Sequence, residues 1–159
     1  MTTAEDPGPD GEASVAFNHV GLCVRDVAKS RHFYEEALGF RHWWELDAPD
    51  EGTGRLLRIP EPIGLHAVYL IRDGLVLELL DFSKAPGPER DERVMNERGL
   101  THLSLSVRDI PAALEKVRAC GGTVLEDTDL GAAVMVRDPD GQLVELTSWQ
   151  WLSTPPPRP

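Results

Sequence analysis

The chain contains the same short pattern twice, and this internal repeat is the feature that most constrains its fold. HVGLCVRDV begins at His19 and HLSLSVRDI begins at His102, 83 residues later (102 − 19). A second echo follows in each half, where DGLVLELL contains Glu78 and DGQLVELT contains Glu145. A chain of 159 residues that repeats itself in this way is expected to consist of two similar modules that share one core.

The first repeat predicts a βαβββ module. Apolar side chains recur at every second position in 15–24, as in a strand, and Asp26 is placed to cap the helix that follows. Gly39 predicts the end of that helix, because glycine readily adopts the left-handed conformation that follows a last helical turn. Asp73-Gly74 predicts a two-residue hairpin turn. Three further strands are expected, at 41–46, 64–72 and 75–80.

The second repeat predicts the same order of elements. A strand is expected over 100–107, Asp109 is placed to cap the next helix, and Gly121-Gly122 ends that helix. The remaining strands are expected at 123–126, 132–137 and 142–147. We therefore predict an α+β fold in which two tandem βαβββ modules curl toward each other and form a curved mixed sheet around one cleft.

The same boundaries predict a single domain over 15–152, which consists of module one (15–82), a linker (83–99) and module two (100–152). The acidic segment 1–14 is rich in proline and glycine, which predicts disorder, and the Pro-rich tail 153–159 predicts a frayed end. Residues 47–62 are interpreted as a long Gly- and Pro-rich loop, and loops of this length often cover a functional site.

Each repeat places one histidine in its first strand and one glutamate in its last strand. A lone histidine in a strand is more often a hydrogen-bonded core residue than a ligand, and a lone glutamate there often points to solvent. Four such residues at repeat-equivalent positions favour one shared site, and imidazole with carboxylate suits a borderline divalent cation. The candidate ligands are His19, Glu78, His102 and Glu145. Glu78 and Glu145 are also the candidates for moving a proton beside that cation.

Charge and composition narrow the range of partners. The formal net charge is −11, with 16 basic against 27 acidic residues, which argues against nucleic acid or an anionic membrane as a partner. No apolar stretch approaches the roughly 18 residues of a membrane span. The first residues lack the basic and apolar regions of a signal peptide, and the chain has only two cysteines. These features together predict a cytoplasmic protein that acts on a small molecule.

The motifs NHVGL, VLELL, THLSL and GQLVELT resemble those of the vicinal oxygen chelate superfamily, whose fold is a βαβββ duplication. The resemblance covers about 16–149, and RDPDGQLVELT is especially typical of the closing hairpin of that superfamily. Its members include glyoxalase I, methylmalonyl-CoA epimerase, extradiol dioxygenases and fosfomycin-resistance enzymes. The resemblance implies a U-shaped cleft with a metal ion at its floor, and a homodimer.

The resemblance also implies which residues bind the metal and what the ion does. The candidate ligands match the four ligand strands of the superfamily, and a His-Glu-His-Glu set is the pattern of glyoxalase I-like enzymes; ERGLTHLSLSV resembles the epimerase branch. The ion would be nickel, zinc, cobalt, manganese or iron. The implied activity is proton transfer next to a metal-bound carbonyl of a small substrate with two neighbouring oxygens, as in an isomerase, epimerase or lyase.

Two alternatives remain at this point. One is an extradiol-type ring-cleaving dioxygenase, which uses two histidines and one carboxylate around a redox-active iron. The other is a non-catalytic protein that binds a small molecule and confers resistance to it. Neither a glutathione site nor a coenzyme A site can be identified in the sequence.

Several other residues are candidates for the walls of the cleft. Trp43 and Trp44 are adjacent, so in a regular strand they face opposite sides, which predicts one core residue and one residue at the cleft. Arg55 and Arg58 are candidates for binding a substrate carboxylate or phosphate, although a solvated loop charge is an equally good interpretation. His32 and His66 lie outside the repeated pattern and are expected at the surface.

Overall fold

The structure, a computed structural model, describes residues 15–88, 92 and 94–156. The predicted disorder of 1–14 lies outside the described residues, as do parts of the predicted linker and of the C-terminal tail. Within the part that the structure describes, no helix is long and apolar enough to cross a membrane.

Module one forms a mixed four-stranded sheet in the order β1-β4-β3-β2, in which β1 runs parallel to β4 and the other neighbours are antiparallel. Its helix α1 continues into a π-helical turn, Phe33–Ala37. The elements are β1 (Val20–Val24), α1 (Val27–His32), β2 (Arg41–Asp47), α2 (Asp50–Leu57), β3 (Leu65–Arg72) and β4 (Leu75–Phe82).

Module two repeats this topology in a second mixed sheet of order β5-β8-β7-β6, and β5 runs parallel to β8. Its elements are β5 (His102–Val107), α3 (Ile110–Ala119), β6 (Thr123–Val124), β7 (Ala133–Arg137) and β8 (Leu143–Ser148). Short 3-10 turns follow β6 and β8, at Glu126–Thr128 and Trp149–Ser153. The predicted α+β duplication is confirmed.

The predicted capping residues and turns account for how each helix and hairpin begins and ends. The carboxylate of Asp26 accepts a hydrogen bond from the backbone N–H of Lys29, and Asp109 accepts one from Ala112. Gly39 follows the last helical turn with a φ of +70°. Asp73 and Gly74 both have positive φ, as in the type I′ turn that suits the twist of paired strands.

Three predicted boundaries were wrong, each for a local reason. The first strand begins at Val20 rather than at residue 15. Val20 pairs with Leu77 in a parallel register and β4 begins at Leu75, so residues before 18 have no partner strand beside them. The loop 47–62 contains α2, a short helix that is broken at Glu51 and Gly52. The Asp50 carboxylate accepts the backbone N–H groups of Ile63 and Gly64 and ties the beginning of this segment to the chain just before β3. The strand predicted at 123–126 stops at Val124, and a 3-10 turn begins at Glu126.

The two modules pack against each other through their helices. Phe33 and Val117 are fully buried in one core that extends over both modules, and the π-helical turn contacts α3. The buried Tyr34 hydroxyl donates a hydrogen bond to Asp138 of module two at 2.9 Å. Across the same junction, Asp140 accepts hydrogen bonds from Ser30 and Arg25.

The predicted duplication takes the form of two mixed four-stranded sheets rather than one curved sheet. Each module has its own sheet, and among the described residues no strand of one module is paired with a strand of the other. The helices lie between the modules because both sheets bury their leucine- and valine-rich faces against them. The opposite face of each sheet carries the histidine and the glutamate and remains open.

Candidate metal centre

His19 and Glu78 form one pair on the open face of module one. Gly21 lies opposite Glu78 in the parallel pairing of β1 with β4, so His19, two residues before Gly21, projects from the same face. His19 Nε2 lies 3.0 Å from Glu78 Oε2. Glu78 is 8% exposed, and its neighbours Leu77 and Leu79 are fully buried on the other face.

Tyr69 holds the second oxygen of Glu78. Its hydroxyl donates a hydrogen bond to Glu78 Oε1, and the two residues are direct partners in the β3–β4 hairpin. Burial and the bond to the carboxylate raise the pKa of Tyr69 to about 12, so the phenol remains a donor at neutral pH. Glu78 is therefore fixed from two sides.

His102 and Glu145 form the corresponding pair in module two, but they are further apart. His102 Nε2 lies 3.7 Å from Glu145 Oε2, and that oxygen accepts a hydrogen bond from Ser104 at 2.7 Å. The Glu145 side chain is 33% exposed. Ser104 is the repeat equivalent of Gly21, and Met135 stands where module one has Tyr69, opposite the glutamate.

Both histidines are oriented through their other ring nitrogen. His19 Nδ1 lies 2.7 Å from the side-chain oxygen of Asn18, and His102 Nδ1 lies 2.9 Å from the hydroxyl of Thr101. Asn18 and Thr101 are themselves repeat equivalents. Histidines that bind metals are commonly held in this way, because a bond at one nitrogen fixes the ring and leaves the other nitrogen to the ion.

The donor set fits a divalent metal. When Nδ1 of His19 donates to the Asn18 oxygen, Nε2 is the ring nitrogen that faces the Glu78 carboxylate. Either a proton on Nε2 or a metal ion between the two groups satisfies this contact. Ligand atoms about 2.1 Å from one ion lie about 3 Å apart when the bonds form a right angle, which matches the first pair.

The four predicted ligands do not form one cluster in the chain. Among the residues that the structure describes, no group of three or more His, Cys, Asp and Glu side chains converges as a metal site. His19, which immediately precedes β1, and Glu78 lie in module one, and His102 and Glu145 lie on the sheet of module two. The structure thus contains two separate His-Glu pairs, which we call the first half-site (His19 and Glu78) and the second half-site (His102 and Glu145).

Trp43 and Trp44 lie beside the first half-site, contrary to the prediction that they face opposite sides. A β-bulge between His42 and Trp44 makes Trp43 an extra residue in β2, so both indoles reach the ring of Tyr69. Trp44 stacks on Tyr69 with a centroid distance of 4.5 Å, and Trp43 meets both rings edge to face. Neither is a core residue, since Trp43 is 56% and Trp44 42% exposed.

The other candidate residues lie away from the two pairs. Arg55 is exposed on α2, and Arg58 is exposed at its C-terminal end, where it adopts a φ of +59°. His32 is exposed on α1, as predicted. His66 is half-buried, and its Nδ1 lies 2.8 Å from the carboxylate of Asp47.

The sequence prediction missed Tyr69, Asn18, Thr101 and Ser104. The position of Tyr69 could have been inferred from the predicted hairpin. A two-residue Asp73-Gly74 turn pairs Arg72 with Leu75, and this register places Tyr69 opposite Glu78. Asn18 and Thr101 precede the two histidines at equivalent positions, which is a weaker signal. The hydrogen bond of Ser104 depends on the parallel register of β5 with β8, which no local pattern gives.

Comparison with known proteins identifies the family. Residues 16–146 match the model of the Glyoxalase/Bleomycin resistance protein/Dioxygenase superfamily. A lactoylglutathione lyase of Pseudomonas aeruginosa is 30% identical over 142 residues, which cover 82% of this chain and 80% of that protein. A lactoylglutathione lyase of Pseudomonas putida is 28% identical, with coverage of 92% of this chain and 90% of that protein.

A solved structure agrees with the fold. A glyoxalase family protein from Bacillus cereus superposes with a TM-score of 0.72 at 15% sequence identity, over 92% of this chain and 98% of that chain. At this identity the likeness concerns the fold alone. Together with the sequence match over most of the chain, it shows that this protein belongs to the Glyoxalase/Bleomycin resistance protein/Dioxygenase superfamily.

Proposed function

We propose that the protein is a divalent-metal-dependent enzyme that moves a proton next to a carbonyl group, as a lyase or isomerase does. The observation that carries the proposal is the pair of His-Glu half-sites at equivalent places in the two modules. The similarity to two lactoylglutathione lyases supports chemistry of this class. A bound divalent ion would polarise a substrate carbonyl and make the adjacent C–H more acidic.

We further propose that the complete site forms between two copies of the chain. A half-site supplies two ligands, whereas catalytic sites of this kind use at least three protein ligands. Bringing His19 and Glu78 to His102 and Glu145 within one chain would require the modules to separate. That movement would expose Phe33 and break the Tyr34–Asp138 bond, both of which are buried. Association of module one with module two of a second copy needs no such loss.

The open edges of the two sheets support this assembly. Among residues 15–88, 92 and 94–156, β1 and β5 are edge strands, and each is preceded by an exposed large apolar residue at the same place in the repeat. Phe17 and Leu100 are both 75% exposed. Unpaired edges with exposed apolar side chains are unfavourable in water, and a partner that covers them would remove the cost. A two-fold dimer would cover both edges and create two complete sites.

The two glutamates are suited to different roles in such a site. Glu78 is nearly buried and held by Tyr69 and His19, so it is suited to remain a fixed ligand. Glu145 is more exposed, and it contacts the hydroxyl of Ser104 at 2.7 Å and the imidazole of His102 at 3.7 Å. A carboxylate that moves a proton must change partners during the reaction, so we assign proton transfer to Glu145.

The decisive experiment is complementation between two inactive chains. E78Q and E145Q chains are co-expressed with different tags, and the mixed dimers are purified through both tags. Each mixed dimer would have one site with both changes and one unchanged site, so about half of the wild-type activity is expected. Activity is measured with hemithioacetals of methylglyoxal and glutathione or another thiol, after loading with nickel, cobalt, zinc, manganese or ferrous iron.

The control is a mixture of E78Q with H19A. Both changes lie in module one, so every site of the mixed dimer carries one of them and activity should not return. If E78Q with E145Q also stays inactive while both variants are folded, the site does not form between chains. If chelator treatment leaves the wild-type activity and stability unchanged, the proposal of a metal enzyme is wrong.

A further inference from the structure

The aromatic cluster of Trp43, Trp44 and Tyr69 is not explained by the metal ligands alone. Trp43 and Trp44 are large apolar side chains that remain about half exposed, although burying either would be favourable. The bulge in β2 turns both indoles onto the open face. Bulges of this kind commonly re-aim a side chain next to a functional site.

The cluster is continuous with the first half-site. Trp44 lies opposite Tyr69 in the sheet, Tyr69 lies opposite Glu78, and Glu78 lies opposite Gly21. The ring of His19 meets Tyr69 edge to face at 5.8 Å. Gly21 has no side chain, so the surface beside Glu78 is not covered at that end of the four residues. At the other end the indoles of Trp43 and Trp44 project from the sheet and form an aromatic corner.

We propose that this corner binds a planar aryl group carried by the substrate next to its metal-binding oxygens. Trp43 and Trp44 meet at an interplanar angle of 79°, so one can stack on a flat ring while the other contacts its edge. This inference rests on the proposed function, and it adds the substrate class: carbonyl compounds with an aromatic substituent.

Other ligand chemistries fit the corner less well. Aromatic corners also bind alkylammonium groups, but a divalent ion held by His19 and Glu78 in the same row would repel a second cation. Module two offers no equivalent surface, because Met135 and Leu125 occupy the places that correspond to Tyr69 and Trp44. The aryl group is therefore expected on the module-one side of the substrate.

The test compares two ligands that differ only in this group. Benzohydroxamate and acetohydroxamate both present two neighbouring oxygens, and one carries phenyl where the other carries methyl. Their binding to metal-free and to nickel-loaded protein is measured by calorimetry. We expect the wild type to prefer benzohydroxamate by about tenfold, and W44L to reduce that preference to about twofold or less. W44F, which keeps an aromatic face, should keep most of the preference.

The matched control is W151L. Trp151 is as exposed as Trp43, at 56%, but it lies in the turn after β8, beyond the end of the sheet remote from His102. It should keep the full phenyl preference. Circular dichroism and sedimentation check that each variant is folded and in the same oligomeric state as the wild type.

The outcomes separate this inference from the proposed function. If nickel tightens both hydroxamates equally and the phenyl preference is absent or survives W44L, the aryl site is wrong while the metal site stands. If nickel has no effect but a phenyl preference is present and is lost in W44L, the aryl site stands and the metal proposal fails. A W44L protein that keeps the preference but loses its dimer would show that the cluster is an interface between copies.

Discussion

The two half-sites lie on equivalent strands, yet they hold their glutamates in different ways. In module one, Glu78 is nearly buried between the phenol of Tyr69 and the imidazole of His19. In module two, the side chain of Glu145 is three times as exposed, at 33% against 11%, and it accepts a hydrogen bond from Ser104 at 2.7 Å. Duplication supplied two copies of one His-Glu pair, and the residues opposite each glutamate hold Glu78 from a phenol and leave Glu145 more exposed.

The largest effect should come from removing either carboxylate charge. We expect E145Q to lower turnover about 100-fold or more while the protein retains most of its metal, because a proton-transferring group is lost. E78Q should lower turnover and metal content together. Turnover and metal stoichiometry of purified protein measure both effects. If metal is lost only in E145Q, the assignment is reversed: Glu145 is then the fixed ligand and Glu78 the group that transfers the proton.

The two half-sites lie apart because the helices pack between the modules. Substitution of Asp138, which binds Tyr34 across this junction, tests how much the junction contributes to stability. D138A should destabilise the protein by about 3 kcal/mol, because the buried Tyr34 hydroxyl and the backbone N–H groups of Asp140 and Gln142 lose their acceptor. D138N should lose clearly less, because its amide oxygen still accepts the two backbone N–H groups, its NH2 can donate to the Tyr34 hydroxyl oxygen, and no charge is buried. Urea unfolding monitored by circular dichroism measures the free energy; equal losses in both variants would contradict this account.

A smaller effect is expected at the residues that hold each glutamate. Y69F should weaken metal affinity about 10- to 100-fold, as removal of such supporting hydrogen bonds typically does. S104A should change it only a few-fold, because water can replace the serine beside the exposed Glu145. Competition titrations with a chromophoric chelator measure both affinities. Equal effects of Y69F and S104A would mean that the two half-sites are equally rigid.

The smallest effect concerns the alkaline stability of metal-free protein. The pKa of Tyr69 rises from 10.0 to about 12 on folding, so the folded state retains a proton that the unfolded state releases. Stability is therefore full below pH 10 and falls between pH 10 and 12, and Y69F should fall less. Tyr34, whose pKa is raised by burial, leaves a residual decline in the variant. The free energy of unfolding in urea is measured at pH 9 and pH 11 for the wild type and Y69F; an equal loss between the two pH values in both proteins would contradict this expectation.

Much of the fold could be predicted because its signals are local. Asp26 and Asp109 cap their helices, Gly39 ends a helix, and Asp73-Gly74 forms the hairpin turn, all through interactions within a few residues. The start of α2 could not be predicted, because Asp50 binds backbone groups 13 and 14 residues away. The bulge at Trp43 could not be predicted either, since it is defined only by the pairing of β2 with β3.

The sequence by itself determined the duplication, the two βαβββ modules and the pairing of a histidine with a glutamate in each, because these depend on periodicity and on strand register. The tertiary structure decided that the two pairs lie apart. The apolar faces of both sheets bury the helices between the modules, and bringing the polar faces of one chain together would expose that core to water. Which faces meet is a property of the whole core, and no local pattern encodes it.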